Sequence, residues 1–287
     1  MKPGIYENIQ FEEYEKWGHI RKSWFKHILK SGKHFKHFLD NGEKESDLMV
    51  FGNLVDTLLF EPLLFESRYI TIPETYPTKD ENKPWNWNAN YCKEWKRSKP
   101  ENKQIIKLCD FSRASIIVNT IKSHPEAGKW LYEASYQVSM VWIDKDTDLG
   151  CMGRIDTLRA NERIIDLKIT NNPHPSNFSR IINNFLYHAQ GAFYHDGYIL
   201  AQGGKLEDGP SIPFSIIAVE DQPPHDVVCY NLGPESFECG RIIYKTALDR
   251  YKEYIENEEY AGYSNIAEEI EIPMYARNKI QMEGIIE

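Results

Sequence analysis

The sequence predicts an α/β fold in one domain spanning 1–287: a mainly helical part over 1–132, a core of strands and helices over 133–257, and an irregular acidic tail over 258–287. Three observations carry this. Before residue 132, apolar side chains recur at helical spacing, as in Leu48, Phe51, Val55, Leu58 and Leu59. The period then changes, and 136–143, 151–159 and 163–170 read as three strands. After them come helices over 178–185 and 187–200, strands over 212–220 and 226–232, and a long amphipathic helix over 235–256.

Taken in order, 23–39 is a candidate helix carrying Trp24, Phe25, Ile28, Leu29 and Phe35, with Gly32 weakening its middle. The next helix, 48–60, ends at Glu61-Pro62, and its pattern buries Asp56, an anomaly for an acid. Prolines and polar residues over 70–84 predict an irregular connection, and helices resume over 87–97, 104–123 and 126–132. The turn Asp144-Lys145-Asp146-Thr147-Asp148 joins the first two strands into a meander.

A chain of 287 residues, 41% hydrophobic and 13% aromatic, can bury a large core. No apolar run approaches a membrane span and Met1-Lys2-Pro3-Gly4 lacks an apolar signal region, so a cytoplasmic location with no membrane partner is expected. The cysteines (Cys92, Cys109, Cys151, Cys229, Cys239) form no C-x-x-C pair, which argues against a zinc ribbon or iron-sulfur cluster. The net charge of −9 is segregated. Seven Lys or Arg lie between Lys16 and Leu39 with no acid among them, and a second basic stretch includes Lys93, Lys96, Arg97, Lys99, Lys103 and Lys107, whereas 253–287 is acidic. Such segregation suits a phosphate backbone as partner and makes Lys22, Lys26, Lys30, Lys33, Lys96 and Arg97 candidate DNA contacts. A solvated helix face is the alternative for either run.

The chemistry concentrates in the meander. Asp156 closes Gly153-Arg154-Ile155-Asp156, and Asp166-Leu167-Lys168 lies in the adjacent strand. Ile164, Ile165, Leu167 and Ile169 make that strand apolar, yet Asp166 and Lys168 sit inside it on one face, because strand side chains alternate. Two carboxylates at neighbouring strand ends would hold a divalent ion, and Lys168 would orient or deprotonate an attacking water, the requirements of metal-assisted phosphodiester hydrolysis. An ion pair within one strand is the structural alternative.

These residues occur together with Gly52-Asn53-Leu54-Val55-Asp56 and Tyr187-His188-Ala189-Gln190-Gly191-Ala192-Phe193-Tyr194-His195-Asp196-Gly197-Tyr198. In that order they resemble RecE-type exonucleases, exonuclease VIII and its phage relatives, within the PD-(D/E)xK nuclease superfamily. The resemblance covers nearly the whole chain, including Phe214 to Glu220 and Gly240-Arg241. It implies a central mixed sheet flanked by helices, with an N-terminal helical extension. It also implies magnesium, or manganese, held by Asp56, Asp156, Asp166 and the Leu167 carbonyl, with Lys168 acting on the water and Gln190 and Tyr194 facing the site from one side of a helix. The implied activity is digestion of linear double-stranded DNA from 5′ ends, leaving 3′ overhangs for recombination, by a homo-oligomeric ring with a single-strand annealing protein as partner. Two positions depart from the family: Asp56 stands where His is common, and Gln137 where Glu is common, with Glu133 just upstream. His188 is expected to orient a neighbour rather than bind metal. A catalytically weak DNA-end-binding scaffold and a restriction-type endonuclease are the competing readings.

Overall fold

A computed structural model describes residues 1–206 and 212–282. In chain order the elements are β1 (Gly4–Tyr6), α1 (Phe11–Glu15), α2 (Phe25–Lys30), α3 (Gly32–Asn41), α4 (Asp47–Phe60), α5 (Phe65–Arg68), β2 (Tyr69–Thr71), β3 (Thr75–Pro77), β4 (Asn82–Pro84), α6 (Asn90–Arg97), β5 (Gln104–Ile106), α7 (Leu108–Ser123) and α8 (Pro125–Leu131). The second half contributes β6 (Ser135–Ile143), β7 (Gly150–Arg159), β8 (Arg163–Thr170), α9 (Pro175–Asn184), α10 (Tyr187–Ala201), β9 (Phe214–Glu220), β10 (Val227–Asn231), α11 (Pro234–Glu256) and α12 (Met274–Met282).

The central sheet has the order β1-β6-β7-β8-β9-β10. It is mixed, as expected: β8 and β9 run parallel, with Asp166 opposite Ile216 and Lys168 opposite Ala218, while the other neighbours are antiparallel. A parallel pair needs a long crossover, which α9 and α10 supply. Buried on both faces, β9 carries an unbroken apolar run from Ile216 to Val219 rather than an alternating pattern.

Each face of the sheet has its own core. On one, Phe25, Phe35, Phe193 and Leu248 from α2, α3, α10 and α11 pack on Val138, Met140, Trp142, Ile155 and Ile216. On the other, Leu54, Val55, Ile117, Ile121 and Trp130 from α4, α7 and α8 pack on Ile165, Leu167, Ile217 and Val219. Each fully buried aliphatic or aromatic side chain contributes about 1.5–3 kcal/mol. No single helix among the described residues is long and apolar enough to cross a membrane.

Some expectations are corrected. The helix drawn over 23–39 is broken at Ser31, whose extended backbone (φ −176°, ψ 164°) and hydroxyl cap α3. Gly32 sits so close to the tail that a Cβ there would fall 2.7 Å from the Tyr260 carbonyl carbon and the Ala261 nitrogen. The helix drawn over 104–123 begins with β5, which pairs in parallel with β2. The tail drawn as irregular contains α12, and 283–287 lie outside the described residues.

Candidate active site

β7 and β8 are paired only beside their shared turn, at Thr157–Ile165, Leu158–Ile164 and Arg159–Arg163, and part beyond it. In the opening, Asp156 Oδ2 accepts a hydrogen bond from the Leu167 N–H at 2.9 Å. A side chain there takes the place of a neighbouring strand. Opposite Asp156 in the β6–β7 register stands Gln137, whose left-handed backbone (φ 53°) costs about 1 kcal/mol for a residue other than glycine. The alternation of faces slips at this point: Val138 and Ile155 belong to the α10 core, but Tyr136 packs on Phe60 of α4 with ring centroids 5.4 Å apart.

Carboxylates from both layers meet here. Asp166 is buried on β8; its Oδ1 accepts from Gln190 Nε2 of α10 at 2.5 Å and its Oδ2 lies 2.6 Å from Lys168 Nζ. Asp56, half-buried on α4 in the other layer, is near enough to feel the charges of Asp156, Lys168 and Asp166. Burial, then the charge of Asp156, pushes its carboxyl well above the usual carboxylate range. Asp156 is pushed up to about 7 by burial and then by Asp166. Burial alone would lower Lys168, but the negative charge of Asp166, and after it Tyr187 and Asp156, outweighs burial and holds its pKa above the ordinary lysine value.

Tyr194 follows Gln190 by four residues and lies against β7 at Gly153, where a Cβ would come within 2.9 Å of its ring. That contact explains the glycine of the Gly-Arg-Ile-Asp segment of β7. Arg154 donates to Gln137 Oε1 (2.8 Å), the Ile9 carbonyl (2.8 Å) and Ser139 Oγ (3.2 Å), and its guanidinium lies 3.6 Å from Glu61. Gln137 thus braces Arg154. Glu133 is exposed, and buried His188 places Nδ1 3.2 Å from the Ile182 carbonyl.

The candidate DNA contacts separate. Lys22 reaches the cleft: its ammonium lies 5.0 Å from the Tyr187 ring centroid, and Lys168 lies 4.6 Å from the same centroid. Burial and then the Lys168 charge push Lys22 down to about 7. Lys26 pairs with Glu43, Lys30 and Lys33 are exposed on α2 and α3, and Lys96 and Arg97 lie on α6. Sequence reasoning assigned no site role to Arg154 or Tyr187, although both lie inside the quoted motifs, and no local signal distinguished Lys22 from its basic neighbours.

Farther along α10, Asp196 is buried in a complete network. It accepts from Arg241 at 2.8 and 2.9 Å and from the Tyr244 hydroxyl at 2.6 Å, with His195 Nδ1 at 3.0 Å. Despite burial, these hydrogen bonds hold its carboxyl well below the usual range. Gly240 permits the approach of α11, since a Cβ there would lie 2.1 Å from the His188 carbonyl oxygen.

Among the described residues no three His, Cys, Asp or Glu side chains close into one coordination shell. The donor chemistry nonetheless fits a hard cation: oxygen ligands only, desolvated, and raised in pKa partly by mutual repulsion.

Residues 22–273 match the family described as "PDDEXK-like domain of unknown function (DUF3799)". The chain belongs to this PDDEXK-like family. The mixed sheet flanked by helices is the architecture expected of that family. A PDDEXK-like fold is also shared with the crystal structure of a protein from Eubacterium rectale described as a "Putative exonuclease". The TM-score is 0.59 at 14% identity, over 95% of this chain and 98% of that one. No curated protein matches. PDDEXK nucleases generally use divalent metal ions.

Proposed function

We propose that this PDDEXK-like protein is a metal-dependent exodeoxyribonuclease that degrades linear double-stranded DNA from its 5′ ends and leaves 3′ single-stranded overhangs for recombination. The observation that carries the hydrolytic part is the opening between β7 and β8, where Asp156, Asp166 and Lys168 meet Asp56 of the opposite layer. Polarity and overhang rest on the resemblance to RecE-type enzymes.

Magnesium, with manganese as substitute, would be held by Asp56, Asp156, Asp166 and the Leu167 carbonyl, and would supply charge stabilisation at the scissile phosphate. The residues divide the remaining work. Gln190 fixes one oxygen of Asp166, leaving the other toward Lys168. The Leu167 amide and the parted strands orient Asp156. Lys168 stays cationic in the resting site, so it serves to hold and hydrogen-bond the incoming water and phosphate oxygen. Lys22 adds a second amine over the same Tyr187 ring, half-protonated near pH 7 and so able to gain charge as a phosphate approaches. A ring of subunits would bring several basic segments around one duplex, reconciling a chain charge of −9 with DNA as substrate. A single-strand annealing protein would take the overhang.

Incubation with magnesium and either linear or closed circular duplex tests the reading. Loss of linear DNA alone supports it; cutting of both identifies an endonuclease, and cutting of neither a DNA-end-binding scaffold. End labels on each strand report the polarity.

A further inference from the structure

A cavity of about 820 Å³ lies on a different face of α4 from Asp56. Asp47, Val50, Phe51 and Leu54 line it, and with about 100° per residue Asp56 points roughly 200° around the helix from Leu54. Its volume is that of a ligand site, about 300–1,000 Å³. Five cationic side chains border it: Lys96, Lys99, Lys103, Lys107 and Arg113. Against them stand three carboxylates, Asp47, Glu101 and Asp110, so the lining is positive within a chain of −9.

The wall beside these charges is aromatic. Trp87, 41% exposed, stands edge-on to Trp85 at 5.4 Å, and Trp85 stands edge-on to Trp95 at 5.0 Å. Lys96 lies 5.9 Å from the Trp87 centroid and Lys99 lies 4.6 Å from that of Trp95. Arg113 lies 3.9 Å from the centroid of Phe51 and donates to Asp110 at 3.2 Å, yet its buried Nε has no hydrogen-bond partner. Lys103 is engaged by the Glu66 carbonyl.

We infer that this cavity is a second nucleic-acid subsite, taking one unpaired DNA strand with a base on Trp87 and phosphates on Lys96, Lys99, Lys107 and Arg113. An indole face beside cations is complementary to an alternation of flat rings and anions. A duplex keeps its base faces stacked internally and does not present them. The assignment rests on the nuclease reading for its biological source, since end resection leaves such a strand. A free nucleotide has the same chemistry in one unit, so the experiment separates the two.

Full-length Asp166→Ala protein in EDTA removes digestion from the measurement, and anisotropy of a labelled oligothymidylate reads binding. Trp87→Ala is expected to weaken binding about tenfold. Trp87→Phe, which keeps a ring, is expected to stay within about threefold. Lys96→Glu with Lys99→Glu should lower the slope of log affinity against log salt by about 0.7 for each lost contact. Unchanged affinity in Trp87→Ala and in the double variant, with wild-type melting midpoints, overturns the subsite. Competition by millimolar thymidine monophosphate as complete as that by unlabelled oligonucleotide overturns the strand assignment in favour of a nucleotide site; failure to compete supports the strand. Tryptophan-dependent binding in a protein that cuts no DNA would leave the subsite standing while the nuclease reading fell.

Discussion

Along α10, two buried carboxylates of opposite character lie within reach of one helix. Asp196, on the helix itself, receives Arg241, Tyr244 and His195 and is held strongly ionised. Asp166, which Gln190 reaches two turns earlier, has one bonded oxygen and one beside an ammonium, and its neighbours Asp156 and Asp56 are pushed toward protonation. Both clusters are acidic and desolvated. The first is fully neutralised by groups the chain itself supplies, whereas in the second Lys168 alone pairs with Asp166 while Asp156 and Asp56 add further acid, so the first ties α11 to α10 and the second favours an external cation.

The contrast can be broken most severely at the metal end. Asp166→Ala should reduce magnesium-dependent digestion by roughly 10³-fold, equivalent to about 4 kcal/mol of transition-state stabilisation, as read from initial rates on linear duplex. Stability should then move in opposite directions at the two sites. Asp196→Asn leaves Arg241 with exposed Glu238 as its remaining acidic partner and should cost about 2 kcal/mol in urea unfolding, less than the penalty for a fully buried pair because Arg241 is partly exposed. Asp156→Asn removes a repelled charge and should leave the metal-free protein no less stable. Equal losses at both positions would erase the distinction.

A smaller effect sharpens it. Asp156, raised to about 7 from an unfolded value of about 3.9, contributes stability at low pH that is lost as pH rises through 7 in the metal-free protein. Magnesium must displace that proton, so its apparent affinity should fall about tenfold per pH unit below 7, and its upward shift of the melting midpoint should be larger at pH 8 than at pH 6. The smallest effect is expected at Lys22→Ala, about three- to tenfold in digestion rate without loss of magnesium binding by calorimetry, since Lys22 adds charge near Lys168 and ligates nothing.

Much of the fold was legible because it is written locally. The run Ile164-Ile165-Leu167-Ile169 predicts β8, and the misplaced charges in it predict its chemistry. Asp56 announced itself as an acid on an apolar helix pattern, and Gln190 and Tyr194 share a helix face by spacing alone. What escaped depends on distant partners. The break at Ser31 is fixed by the approach of Tyr260 and Ala261, and the position of Lys22 by α10 more than 160 residues away. Gln137 resembles any strand residue until the opposing Asp156 and Arg154 are in place. The tryptophans around Lys96 read as one more helix, because the hairpin that turns Trp85 and Trp87 toward them is made of three-residue strands.

The parting of β7 from β8 also gives the molecule a built-in reporter. At the three residue pairs beside the turn backbone groups hold one another, but the Leu167 amide is shielded by a carboxylate whose charge depends on what else it binds. Its proton-deuterium exchange rate should therefore track the occupancy of the cleft, while the amides of the turn at 157–165 stay indifferent. One peptide group, followed by isotope exchange, would register loading of the site without any substrate being cut.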